Sequence, residues 1–212
     1  MSLSTTPAPA RTDRASAQDT RPPATTALVR RAGIAVATGS AAWAAGMLAF
    51  GVAPDPGWQG TVYDTSSLLF QLGLVALVTA QLRTGATGTG RLARFFLHAE
   101  HVLLGLAITS TLTWLFFREY QDTAWFLALD VFWPLSMLGM AAIGIRIAIA
   151  GRWKGAARFW PLVAESWAPV CVPFAALTPA IAHFVGAGHL AIGYVMLGVI
   201  LARRPELTGA RD

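Results

Sequence analysis

The residues of this 212-residue chain that can do chemistry are few, and most sit inside apolar runs. One set comprises His98, Glu100, His101, Arg146 and Glu165; a second comprises Asp64, Asp130, His183 and His189. An ionisable side chain within a hydrophobic run is costly to bury and marks a functional suspect whose partner must be found. Glu165 is expected to pair with Arg146, because their two runs are joined by a short basic loop. The plainer reading of that pair is a structural ion pair, or an arginine reaching out to lipid headgroups. Asp130, one turn before Pro134, reads as the most deeply placed of the second set, and beside a histidine it can pass a proton or hold a cation.

His98 and His101 are three apart and share a helix face, with Glu100 pointing elsewhere. His-Ala-Glu-His is not the H-E-x-x-H zinc pattern, so no metal site is assigned. Two haems held by paired histidines would need them opposed on different helices, and both members of the first set fall on one run. The stretch GHLAIG suggests the histidine helix of an intramembrane serine protease, but Ser136 lies in Pro-Leu-Ser-Met without the glycine such a nucleophile needs. No glycine-rich phosphate loop occurs, and nothing calls for a cofactor.

What must position these residues is a set of apolar helices. The chain is 55% hydrophobic and 13% charged, a balance that belongs to membrane proteins. Residues 1–29 are rich in Ala, Thr, Pro and Arg and read as a disordered cytoplasmic tail. Apolar runs follow at about 32–53, 67–82, 99–117, 125–150, 160–182 and 189–202, the second and sixth being short. The first is longer than the apolar part of a signal peptide, lacks a cleavage site and is read as retained. The expectation is an all-α integral membrane bundle of six transmembrane helices over residues 30–204, with a cytoplasmic tail at 205–212. Kinks are expected in the fourth and fifth runs, where Pro134, Pro169 and Pro173 fall.

Charge sets the orientation, since Lys and Arg accumulate in cytoplasmic loops. Of the 16 basic residues, 14 fall before the first run, after the last, or in the second-to-third and fourth-to-fifth connections; Arg146 lies late in the fourth run, toward the fourth-to-fifth turn, and only Arg118 falls on the opposite side. Both termini are therefore expected in the cytoplasm, the membrane being the plasma membrane (inner membrane) of a bacterium. Trp58, Trp114, Trp125 and Trp133 toward one face, and Trp153 and Trp160 toward the other, read as interfacial anchors. RLARFFLH, opening the third run, reads as a basic amphipathic start at the headgroups. The positive charge is thus spent on topology, and no folded basic domain exists to bind nucleic acid. The single cysteine, Cys171, permits no disulfide framework.

A weak internal repeat runs through these elements. Asp64 precedes Leu72-Gly73 as Asp130 precedes Leu138-Gly139 and His189 precedes Leu197-Gly198, and Ala99-Glu100 matches Ala164-Glu165. The pattern suggests a duplicated helical hairpin, of a kind found in transporters.

The segment W-P-L-S-M-L-G-M, followed by G-R-W-K-G-x-x-R and P-L, resembles small polytopic membrane proteins of high-GC, actinobacterial-type genomes, with A-x-W-A-x-G-M in the first run as weaker support. Those relatives are uncharacterised, so the resemblance implies a membrane fold and location but no activity. The sequence therefore points first to passage or sensing of a proton, cation or small solute along a polar path through Asp130, Arg146, Glu165 and Glu100. The alternative is a non-catalytic membrane subunit, packed in the bilayer against a partner protein or a copy of itself. A transporter should have connected polar residues inside the bundle, a scaffold only glycine and alanine seams.

Overall fold

The computed structural model describes residues 24–212, and every regular element among them is helical. The helices are α1 (Thr26–Phe50), α2 (Trp58–Thr84), α3 (Arg91–Phe116), α4 (Ala124–Asp130), α5 (Phe132–Ala150), α6 (Gly155–Ala164), α7 (Trp167–Leu177), α8 (Ala182–Leu190) and α9 (Met196–Arg203). They join end to end into six rods of 23 to 27 residues, α4–α5, α6–α7 and α8–α9 each forming one rod. All six are long and apolar enough to cross a hydrocarbon layer.

The rods exceed the apolar runs mainly at their starts. α2 begins at Trp58 rather than Ser67, because Thr61, Thr65 and Ser66 turn their hydroxyls back onto carbonyls of their own helix. Asp64 in the same stretch is ion-paired with Arg118 at 2.7 Å. Polar residues thus extend the helix without exposing an unsatisfied backbone. At the other end of the rod Gly85 takes a left-handed conformation, φ 62°, that stops it. α1 starts at Thr26, inside the expected tail, with the Thr25 hydroxyl accepting from the Leu28 N–H at 3.3 Å. Arg11, Arg14 and Arg21 lie outside the described residues.

Each rod packs against those before and after it in the chain, and the sixth closes on the first. The arrangement is an up-and-down ring of six. Its closure depends on backbone contact. A Cβ on Gly33 would stand 2.5 Å from the Gly198 carbonyl oxygen, and one on Gly198 would stand 2.5 Å from that of Gly33. Gly39 and Gly73 bring α1 equally close to α2. Small residues of this kind let helices approach where hydrophobic burial gives no advantage over lipid.

The expected kinks are present, and proline explains both. Pro134 has no N–H and crowds the Asp130 carbonyl, and α4 gives way to α5 at Val131. Pro169 does the same to the Glu165 carbonyl, and Glu165 and Ser166 flatten to ψ of −4° and 5° between α6 and α7. The sixth rod is interrupted differently, by a π turn over Ala191–Val195. Its freed carbonyls are met from outside: the Trp160 indole N–H donates to Ile192 O at 2.9 Å and to Gly193 O at 3.1 Å.

The connections carrying Arg83, Arg91, Arg152 and Lys154 gather at one end of the ring with the start of α1 and the chain's last residues. There the Trp153 indole donates to the Thr84 hydroxyl at 2.9 Å. The segment after Arg204, expected as a tail, is docked: Lys154 N–H donates to Leu207 O at 2.8 Å and Arg211 N–H to Ala24 O at 3.0 Å. Pro205, Thr208 and Ala210 are buried beneath it. Of the expected interfacial anchors, Trp58 and Trp125 are exposed near the acidic end, whereas Trp153 is fully buried and Trp133 joins an interior aromatic cluster.

Candidate functional site

Two broken rods and their neighbours hold the site. Glu165, at the α6–α7 break, is completely buried. Its Oε1 accepts from the Gln81 amide of α2 at 2.7 Å, and its Oε2 has no partner among the described residues. Gly144 of α5 makes room for it, since a Cβ there would lie 2.8 Å from Oε2 and 2.9 Å from the Pro161 carbonyl. Gly193, in the π turn, packs on Ala164 from the opposite side. Glu100 of α3 is 2% exposed, lies against Gly139 of α5, and has a buried, unpartnered Oε1. Tyr194, in the π turn, is fully buried with no partner for its hydroxyl among the described residues.

The expected Glu165–Arg146 pair does not form. On α5, Gly144 and Ile147 face inward; Arg146, two residues and so about 200° from Gly144, is exposed on the far side. The sole ion pair among the described residues joins Arg118 to Asp64. A carboxyl with only an amide for company needs much more from its surroundings than one facing a guanidinium.

Toward the acidic end a cavity of about 580 Å³ is lined by Asp64, Ser67, Thr111, Arg118 and Asp130. Asp130 is exposed, not deep, because it ends α4 at the break; it accepts from Ser110 Oγ at 3.1 Å and Trp114 Nε1 at 3.2 Å. Beside the cavity Gln71, 1% exposed, donates to Thr111 Oγ1 at 2.6 Å. Aromatic rings close the cavity's inner side: Trp43 stacks on Phe70 at 4.9 Å and meets Trp167 at 5.3 Å and Trp133 at 5.7 Å, while Phe70 meets Tyr194 at 5.1 Å.

The histidines do not join this set as one group. His98 is exposed; His101 Nδ1 donates to Leu97 O at 2.8 Å, and its Nε2 lies 3.1 Å from the Thr79 hydroxyl. His183 lies against the neighbouring Phe184 ring, the two planes tilted by 40°. His189 is nearest the break, its Nε2 3.2 Å from Ser166 Oγ. That hydroxyl already donates to Val163 O at 2.8 Å, so Nε2 is the donor and Nδ1 is left as a buried bare acceptor.

Sequence reasoning missed Gln71, Gln81 and Tyr194. The signal was available, since amides and a phenol in long apolar runs carry the same cost as charges, if a smaller one. The arrangement defines a class: an all-helical protein with six rods able to span a membrane and a polar cluster enclosed by them. Comparison with family models, with curated proteins and with solved structures returns no match, so the class is the limit of identification.

Proposed function

We propose that this is a multi-pass protein of a bacterial plasma membrane, both termini cytoplasmic, in which Glu165 and Glu100 take up and release a proton or small cation. The observation that carries the reading is Glu165: a wholly buried carboxyl at the break of a rod, bonded to Gln81 alone and next to Ala164, on which the π turn packs. Broken helices line ion sites in membrane transporters, and π turns recur at functional sites. Asp64 and Asp130 line the entrance at the acidic end, so Asp130 acts as a mouth rather than as a partner of the buried carboxyls, while Arg146, exposed on the outer side of α5, lies off the route. The aromatic cluster around Trp43 is the barrier between the acidic-end cavity and Glu165. Glu100 and Glu165, which align in the hairpin repeat, are both buried carboxyls, though Glu100 packs on α5 rather than on its own hairpin partner α2. A scaffold would be sealed by glycine and alanine seams alone, and the enclosed Gln71, Gln81, Glu100, Glu165 and Tyr194 argue for transport over it.

The test is flux in proteoliposomes carrying a lumenal pH dye, under an imposed potassium diffusion potential and then under sodium or potassium gradients. Wild type should move protons or one of these cations. Glu165→Gln, which keeps an acceptor for Gln81, and Glu100→Gln should each lower the rate at least about tenfold, the scale expected when an essential proton-carrying group is lost. Wild-type vesicles indistinguishable from empty ones under every gradient would overturn the proposal.

A further inference from the structure

A second cavity, about 1030 Å³, opens sideways between α3 and α5. Its walls are apolar and face outward: Leu92, Phe95 and Phe96 from α3, and Leu135 and Leu138 from α5, are all exposed. Glu100 closes its floor. From Leu135 to Arg146 the groove follows α5 for about 16 Å, the rise of eleven helical residues, a length suited to an extended hydrocarbon chain.

The end at Arg146 is chemically different. The Arg146 guanidinium, exposed and outside any ion pair, stands there beside the start of α3. Gly90, the residue preceding that helix, offers no side chain to cap the first-turn N–H groups. A 26-residue helix presents partial positive charge at such an end. Thr87 lines the same mouth, 3% exposed, with a hydroxyl that is buried and unpartnered. Three independent donors thus converge where an apolar groove meets the basic end of the ring.

We infer that this groove seats one acyl chain of an anionic membrane phospholipid, with the phosphate held by Arg146, Thr87 Oγ1 and the first-turn N–H groups of α3. Charge selects the occupant: a headgroup of net negative charge meets Arg146 without a competing cation, whereas the choline of a zwitterionic lipid brings a second positive charge to the basic end of the ring. The inference rests on the membrane reading but not on transport.

Lipid binding is read on the full chain purified in a neutral detergent, by native mass spectrometry and by melting temperature during titration. The probes are dioleoyl phosphatidylglycerol, dioleoyl phosphatidylcholine and inorganic phosphate. Phosphatidylglycerol should be retained and raise the melting temperature, with the other two inactive. Arg146→Gln should weaken it about tenfold, the loss of one charge-assisted contact. Ala142→Trp, which fills the groove, should abolish it, and Arg152→Gln, at the same end but outside the groove, should bind as wild type. Equal response to phosphatidylcholine, an equal response to inorganic phosphate, or unchanged binding in a folded Arg146→Gln would each overturn the inference. So would a dimer that Ala142→Trp dissociates, which would give the groove to a second copy. None of these readouts depends on flux, so failure here leaves the assignment of Glu165 and Glu100 standing, and failure of flux leaves this one standing.

Discussion

At the scale of single residues, the two carboxyls are housed by two glycines of one helix, and the housings differ in what surrounds them. At Gly139 the nearest atoms an added Cβ would meet all belong to the Glu100 side chain. At Gly144 it would meet a carboxylate oxygen on one side and the Pro161 backbone carbonyl, 2.9 Å away, on the other. A side chain can swing aside, whereas the backbone of a packed helix yields little. Gly144→Ala should therefore destabilise by about 1–3 kcal/mol, the usual cost of overpacking, and Gly139→Ala by clearly less, as measured by reversible unfolding in mixed micelles. Equal losses would show that Glu100 is as rigidly held as the proline turn.

These housings also mark where the sequence ceased to be legible. The carboxyls themselves stood out, because an acid in an apolar run is rare. Their partners did not. Gln81 and Glu165 are 84 residues apart, and whether Glu165 meets Gln81 or Arg146 depends on how α5 is rotated about its own axis. A helix apolar on every side carries no stripe to fix that rotation. The rotation is set instead by glycines such as Gly144, whose role is visible only once the neighbouring backbone is in place. Asp130 was misplaced for a related reason: Pro134 showed that a break was near, but not that the break would leave the carboxyl exposed.

At the scale of elements, length and interruption were readable and closure was not. Pro134 and Pro169 act locally, through a missing N–H and a crowded carbonyl four residues back, so the kinks follow from the chain itself. The π turn of the sixth rod has no such cue and is sustained by Trp160 from another element. The proline break gives the clearest prediction at this scale. Pro169→Ala restores an N–H to the Glu165 carbonyl and allows α6 and α7 to merge. Stability should rise by about 1 kcal/mol or more, part of what proline costs inside a helix. Flux should fall at the same time, since the break is what aims Glu165 at Gln81. A more stable protein with unchanged flux would mean that the break is incidental to function.

At the scale of the whole molecule, the closed ring fixes which connections share an end, and on the membrane reading proposed above the charge predicts which side that end should face. Fifteen of the 16 basic residues belong to the termini, to the two connections they meet and to the helix ends beside these, and the docked contacts from Lys154 to Leu207 and from Arg211 to Ala24 hold the described parts of these together. At the opposite end Asp64 consumes the charge of Arg118, the one basic residue there. The asymmetry is a property of one end of a rigid ring rather than of scattered loops, so the ring should insert in one orientation, basic end to the cytoplasm. Single cysteines at Lys154 and at Asp122, both exposed and at opposite ends, test this in a Cys171→Ala background. In intact cells a membrane-impermeant maleimide should label the Asp122→Cys protein and spare Lys154→Cys, which should react only after permeabilisation. The reverse pattern would invert the protein. It would also move Arg146 and the α3 start to the external leaflet, and with them the headgroup that the lateral groove is built to hold.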